Sequence, residues 1–250
     1  MADIQVIKAT HDEIKELRVL FLQENNFQFV HNKCHQYGWA DVYSFHVNGK
    51  KAGYGSVWGQ SRREDRDTIF EFYLLPPFRS LAALIFSQLI AQSGVAYIEC
   101  QTNDLLSATL FFQFVQNIQA EAILFKDSFE SKLNKPGIIF RKKTDDDQLD
   151  EDTGDYLLLH NDEVVADGGL MLNYNLPFAD IYMKVKEGCR QNGFGSLIVQ
   201  ELKKEAYRIG RVPAARCNIN NHVSKATLMK AGLEVCGFLL TGEIKKIKCV

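Results

Sequence analysis

Short apolar runs alternate along the chain with longer segments of helical period, and the alternation happens twice. Residues 4–9 (IQVIKA) predict a strand, and 12–30 predict one or two helices. Residues 43–53 (YSFHVNGKKAG) read as strand, turn and strand, because Asn-Gly is a hairpin turn signal. A strand at 69–75 and an amphipathic helix at 81–92 follow. The same order returns at 156–166 (YLLLHNDEVVA), at the strand 180–185 and at the helix 193–209. In that last helix Leu197, Ile198, Leu202, Ala206 and Ile209 recur on one face, and Gln200, Glu201, Lys203, Lys204 and Arg208 sit mostly opposite. Gly210 then stops it.

This is an internal repeat. CQTNDLLS at 100–107 and CNINNHVS at 217–224 share Cys, Asn and Ser at the same spacing, each after an apolar run and before a helical pattern. The repeating unit is strand-strand-strand-helix-strand-helix-strand. The second copy opens with 137–142 (GIIFRK) and carries an acidic loop, 144–152 (TDDDQLDED), where the first has its opening helices. A boundary near Pro136 divides the chain into 1–136 and 137–250.

Composition narrows the class. A chain of 250 residues, 46% hydrophobic and 24% charged, can bury a core without disulfides or metals. The net charge of −2 gives no electrostatic case for nucleic acid. The acidic loop reads as solvated. Six cysteines without regular spacing fit a reducing compartment, and no apolar run approaches the roughly 20 residues that span a membrane. The opening MADIQVIKATHDE lacks a signal-peptide pattern. The expectation is a cytoplasmic protein with no membrane or nucleic-acid partner.

The chemistry concentrates in the loop Arg190-Gln191-Asn192-Gly193-Phe194-Gly195-Ser196, between a strand ending near Val185 and a helix starting near Gly193. Free N–H groups at a helix start, the helix dipole, close-approach glycines and an arginine together suit a pyrophosphate. A dinucleotide fingerprint would need a glycine where Ile198 stands, and a P-loop would need Gly-Lys-Ser/Thr.

Arg190, Gly193 and Gly195, followed by a long helix, a strand and then Asn221, Ser224, Lys230, Gly232 and Leu233, resemble the two ordered motifs of the GNAT superfamily of N-acetyltransferases. The resemblance covers residues 156–244. It implies an α/β (α+β) fold of two GNAT-like units, each a mostly antiparallel mixed sheet with helices on both faces. It implies acetyl-CoA as co-substrate and a small-molecule or peptide amine as acceptor. Met183, Lys184 and Val185 would lie along the pantetheine arm, residues 190–196 under the pyrophosphate, and Asn221 and Ser224 on the far side. Asp180 would be the candidate base, with Tyr182 two residues on, or Glu71 of the first copy, as alternatives; a strand-edge Asp that caps a turn is the other reading of Asp180. Many members carry a Tyr four residues before the second-motif glycine; Leu228 stands there. The first copy reads Arg79-Ser80-Leu81-Ala82-Ala83-Leu84, with Ala82 and Leu84 in place of the glycines. It is expected to have kept the fold and lost the cofactor.

Two features stand outside the motifs. His31, Cys34 and His35 have a spacing that can bind metal, but no further ligand completes a set, and a structural or pocket-lining role fits better. Phe27, Phe29, Tyr37, Trp39 and Tyr43 cluster near them, and Phe111, Phe112 and Phe114 read as core. Two functions remain open: an amine acetyltransferase, or a non-catalytic acyl-CoA-binding or regulatory module whose degenerate half binds a partner. The acceptor and the oligomeric state are not encoded in any motif.

Overall fold

A computed structural model describes residues 2–25, 31–147 and 149–245. Phe27, Phe29, Cys249 and the end of the helix expected over 12–30 lie outside them. The strands are β1 (Ile4–Ala9), β2 (Asp41–Val47), β3 (Lys50–Trp58), β4 (Thr68–Leu74), β5 (Tyr97–Gln101), β6 (Val115–Asp127), β7 (Ile138–Lys142), β8 (Tyr156–His160), β9 (Glu163–Met171), β10 (Phe178–Val185), β11 (Val212–Asn218) and β12 (Leu233–Ile244). The helices are α1 (His11–Asn25), α2 (His31–Gln36), α3 (Ala82–Ser93), α4 (Leu105–Phe114), α5 (Phe194–Arg208) and α6 (His222–Lys230). No described helix is long and apolar enough to cross a membrane.

Local chemistry sets the ends. A capping box starts α1: the Glu13 amide donates to Thr10 Oγ1, and the Thr10 amide and hydroxyl donate to the Glu13 carboxylate. Gly94, left-handed at φ 67°, ends α3, and Gly210, at φ 73°, follows α5.

The chain divides into two compact units, Met1–Glu121 with Gly237–Val250, and Ala122–Cys236. Strand order is β1-β2-β3-β4-β5-β12 in the first and β6-β11-β10-β9-β8-β7 in the second. Each unit has one parallel pair, β4 with β5 and β10 with β11, and antiparallel pairs elsewhere. The repeat is therefore a repeat of topology. The division differs from a cut at Pro136, because the last strand of each sheet comes from the other half of the sequence. Leu239–Glu243 of β12 pairs with β5, and Ala122–Lys126 of β6 pairs with β11.

In the first unit, Phe72 packs in one cluster with α3 and α4, and its neighbour Tyr73 packs with Ile14, Leu17 and Phe21 of α1. Adjacent strand residues face opposite ways, so helices cover both faces. Phe111 is core, but Phe112 is 58% exposed. In the second unit α5 and α6 share one cluster with β8, β9, β10 and β11. The face of α5 expected to be polar and exposed is partly buried: Gln200 and Lys203 are each 5% exposed. The segment after β6 runs over them. Gln200 bonds the Leu133 amide (2.7 Å) and carbonyl (3.0 Å), and Lys203 donates to the carbonyls of Phe129 (2.7 Å) and Ala231 (3.0 Å). Helical period reports only apolar burial, so it could not show this strap.

His31, Cys34 and His35 are structural. Glu71 of β4 receives Arg18 (3.1 Å), His35 (3.0 Å) and the Tyr54 hydroxyl (3.0 Å), and His31 bonds Glu99 of β5 at 2.9 Å. Burial alone would push the Glu71 carboxyl up, but Arg18, His35 and His31 together hold it well below the usual carboxylate range. Burial, with Glu71 and Glu99 nearby, pushes the Cys34 thiol to about 12, so it stays unreactive at neutral pH.

Glu71→Gln should therefore destabilise the protein by about 3–5 kcal/mol at pH 7, because Arg18 is left buried without its anion. A carboxyl depressed in the folded state stabilises above its unfolded pKa of about 4.3 and loses that contribution as pH falls through the lower folded value. Denaturant melts of wild type and variant should converge only below about pH 4. A second expectation concerns the strand exchange. Fragment 137–250 lacks the β6 partner of β11 and the β5 partner of β12, so it should show no cooperative thermal transition by circular dichroism. Fragment 122–236 should show one.

Candidate functional site

β10 and β11 start parallel and then part. Phe178, Ala179 and Asp180 pair with Val212, Pro213 and Ala214, and the register ends there. On its other side β10 stays paired with β9 through Val185. The β11 side of residues 181–185 is thus an unpaired strand edge inside the unit, open to an extended ligand. The apolar cluster under α5 holds Ile181 of β10 and Ala215 and Cys217 of β11, so the strands diverge without exposing the core.

At the open end of β10 a short 3-10 turn, Glu187–Cys189, leads into the loop. Gln191 (φ 62°) and Gly193 (φ 81°) are both left-handed, which a non-glycine residue rarely adopts. The turn they make leaves the amides of residues 191–196 without a backbone acceptor among the described residues; the first helical bond is Leu197 to Gly193. Gly195 keeps α5 close to its neighbours: a Cβ there would sit 3.0 Å from Thr227 Cγ2 and 3.4 Å from Val185 Cγ2. Asn192 braces the loop, donating to the carbonyls of Arg190 (3.0 Å) and Cys189 (3.3 Å). From the strap, Lys135 donates to the Asn192 carbonyl at 3.3 Å and lies 4.4 Å above the Phe194 ring.

A cleft of about 880 Å³ joins these parts. Of the expected binding residues, Met183, Lys184, Val185, Arg190, Gln191, Gly193, Phe194, Gly195, Ser196, Asn221 and Ser224 line it; Asn192 does not. Asn221 caps α6, accepting from the Ser224 amide at 2.9 Å, which leaves its amide nitrogen for the cleft. Ser196 Oγ donates to the Thr227 carbonyl at 3.1 Å and ties α5 to α6. Cys189, His222, Val223, Ala226 and Thr227 also line the cleft, outside the residues that the motifs point to. Residues 223, 226, 227 and 230 recur at helical spacing on one face of α6, which was the available signal. The size and mixed lining suit a ligand of cofactor dimensions.

Asp180 lies two residues inside β10, between β9 and β11, and is not a strand-edge turn residue. It is buried and pairs with Arg216 of β11 at 3.3 Å, where the strands begin to part. Arg216 also donates to the Tyr174 hydroxyl at 2.7 Å. Tyr182 is 37% exposed; burial, then the Asp155 and Asp167 carboxylates, raise its phenol pKa, so it stays protonated at neutral pH. Leu228, where a tyrosine is common in the resembled superfamily, is buried in the core. Among the described residues no group of three His, Cys, Asp or Glu side chains could hold a metal.

The first unit builds the same parting, since β4 and β5 pair only through Thr68–Tyr97 and Ile69–Ile98. Its loop is a 3-10 helix, Pro76–Leu81, running directly into Ala82 at φ −54°, with no left-handed residue.

Comparison with known proteins follows this geometry. Residues 10–128 match the family described as acetyltransferase (GNAT) domain. That match falls on the copy without the glycine loop. No curated protein matches the chain. Among solved structures, a GNAT-family acetyltransferase from Colwellia psychrerythraea aligns at TM-score 0.74 and 16% identity, over 97% of this chain and all of its own. A GCN5-related N-acetyltransferase from Sphaerobacter thermophilus aligns at 0.64 and 13%, over 97% and 96%. A tandem GNAT protein from the clavulanic acid biosynthesis pathway aligns at 0.58 and 11%, over 98% and 100%. At these identities the structures establish the fold, and they do so across both copies. Residues 10–128 thus match a GNAT acetyltransferase domain, and the fold of the GNAT structures runs through both copies.

Proposed function

We propose that the chain moves the acetyl group of acetyl-CoA to a primary amine on a small molecule or peptide, using the second unit. The observation that carries this is the unpaired edge of β10 leading into a left-handed loop with unspent amides beside Arg190. The edge at Met183, Lys184 and Val185 suits the amide-bearing pantetheine arm. The loop amides, Arg190 and the start of α5 suit the pyrophosphate. Asn221 and Ser224 reach the arm from α6. The free cysteines among the described residues support a cytoplasmic setting.

The thioester carbonyl then falls at the inner end of the parting, near Asp180 and Tyr182. The neutral amine attacks that carbonyl, forming the C–N bond. A backbone N–H of β10 receives the developing oxyanion. The C–S bond breaks, the ammonium proton goes to a base, and the CoA thiolate takes a proton. Asp180 is the candidate base, held in place by Arg216. Tyr182, kept protonated, suits the proton donor and not the base. Glu71 is excluded as an alternative base by its engagement with Arg18 and His35. The buried Leu228 is the observation that favours a second reading, a non-catalytic acyl-CoA-binding or regulatory module. Release of free thiol from acetyl-CoA with a panel of amines separates the two, and none with any amine supports the second.

Gly193→Leu puts a side chain at φ 81° and should abolish CoA binding in calorimetry, whereas Arg79→Ala should leave it nearly unchanged. Two equivalent CoA sites per chain would overturn this assignment. Arg190→Ala should weaken CoA and dephospho-CoA alike, by about 1.5–3 kcal/mol.

Asp180→Asn should lower turnover at pH 7 at least about tenfold, since roughly one amine in a thousand is neutral there. The loss should shrink as pH rises. CoA affinity should hold. Because Arg216 loses its anion, stability should fall by about 1 kcal/mol, discounted for the partial exposure of Arg216. Normal turnover at pH 7 would remove Asp180 from the chemistry.

A further inference from the structure

The first unit keeps a cleft at the place where the second would hold its cofactor, but with the opposite electrical character. This cavity, about 480 Å³, lies at the end of β4 and against α3 and α4. Phe21, Phe72 and Leu110 supply apolar wall. Arg79 is turned away from any ligand role: its Nε donates to the Leu74 carbonyl at 3.1 Å, and its guanidinium pairs with Glu24, which neutralises both charges.

Asp104 is different. It occupies the position of Asn221 in the repeat, and like Asn221 it caps the following helix. The substitution of a carboxylate for an amide adds a charge to the cavity wall. Asp104 is 5% exposed. Its partners are neutral, the Ser107 amide at 3.1 Å and the Ser107 hydroxyl at 2.5 Å, and among the described residues it pairs with no Lys, Arg or His. Burial raises its carboxyl pKa despite those hydrogen bonds. The start of α4 offsets part of the cost of burying this charge but supplies no counter-ion. Buried charges are ordinarily paired, and this one borders a cavity of ligand size.

We propose that the first-unit cavity is a second ligand site that takes a small primary ammonium with an apolar body. The ammonium pairs with Asp104, and the body lies against Phe21, Phe72 and Leu110. CoA is disfavoured there, because its phosphates would meet Asp104 and Glu24 without a cradle of free amides. The site is independent of the reading given to the second unit.

The test is calorimetric titration of the full chain with phenethylamine at neutral pH, and with 2-phenylethanol as the uncharged analogue. Asp104→Asn removes the charge and keeps the helix cap, since Asn caps as well as Asp. The amine should bind once per chain and about tenfold more weakly to Asp104→Asn, as expected for a hydrogen-bonded ion contact. The alcohol should not distinguish the two proteins, and their melting temperatures should agree. Ala83→Phe, which narrows the cavity from α3, should also abolish amine binding while CoA still binds. Equal amine affinity in wild type and Asp104→Asn, no amine binding to wild type, or competitive displacement of the amine by CoA would each overturn the proposal.

Discussion

A parallel strand pair that ends early is the constraint on which the rest of the second unit depends. After Asp180–Ala214 the edge of β10 has lost its neighbour, and its backbone groups need another partner. An extended amide-bearing ligand can supply one. The early ending also sets the direction of approach. The open edge leads straight to the loop and the first turn of α5, so one continuous surface offers strand-type hydrogen bonds and then anion-type ones. The Asp180–Arg216 pair stands at the closed end, where the strands are still joined.

The first unit shows what becomes of the same opening without that use. There the chain bridges its inner end and leaves a cavity beyond it. His31 bonds Glu99 on β5 while its other ring nitrogen lies 3.8 Å from Glu71 on β4, so the two strands are bridged just past their last pair. Arg18, His35 and Tyr54 complete the coordination of Glu71. Farther out, a regular 3-10 turn replaces the left-handed loop. The family match nevertheless falls on this copy.

Strand exchange couples the copies through the chain. β6 begins in the first unit and ends in the second, and β12 does the reverse. Neither half of the sequence contains a complete sheet, since an edge such as that of β11 would be left without its partner. The repeat in the sequence is thus not a repeat of independently complete domains. The segment following β6 adds a second tie within its own unit, because Gln200 and Lys203 hold it along α5 and so bring Lys135 to the Asn192 carbonyl.

The sequence by itself determined the repeat, the order of strands and helices, and the loop. These are local properties: apolar period, turn residues and glycines act over a few positions, and the spacing of Arg190, Gly193 and Gly195 is legible without a partner. The helix caps at Asp104 and Asn221 are of the same kind, one side chain reaching an amide three residues on. Tertiary structure alone decided the rest. The division of the units rests on which strand lies beside β5 and β11, pairings between segments roughly 90 to 145 residues apart. The burial of Gln200 and Lys203 came from a strap that leaves no period in the helix it covers. Asp180 looked like a turn residue and is an internal ion-pair partner, because charge pairing depends on the neighbouring strand. His31 and His35 had the spacing of a metal site, and only the fold showed that Glu71 and Glu99 already hold them.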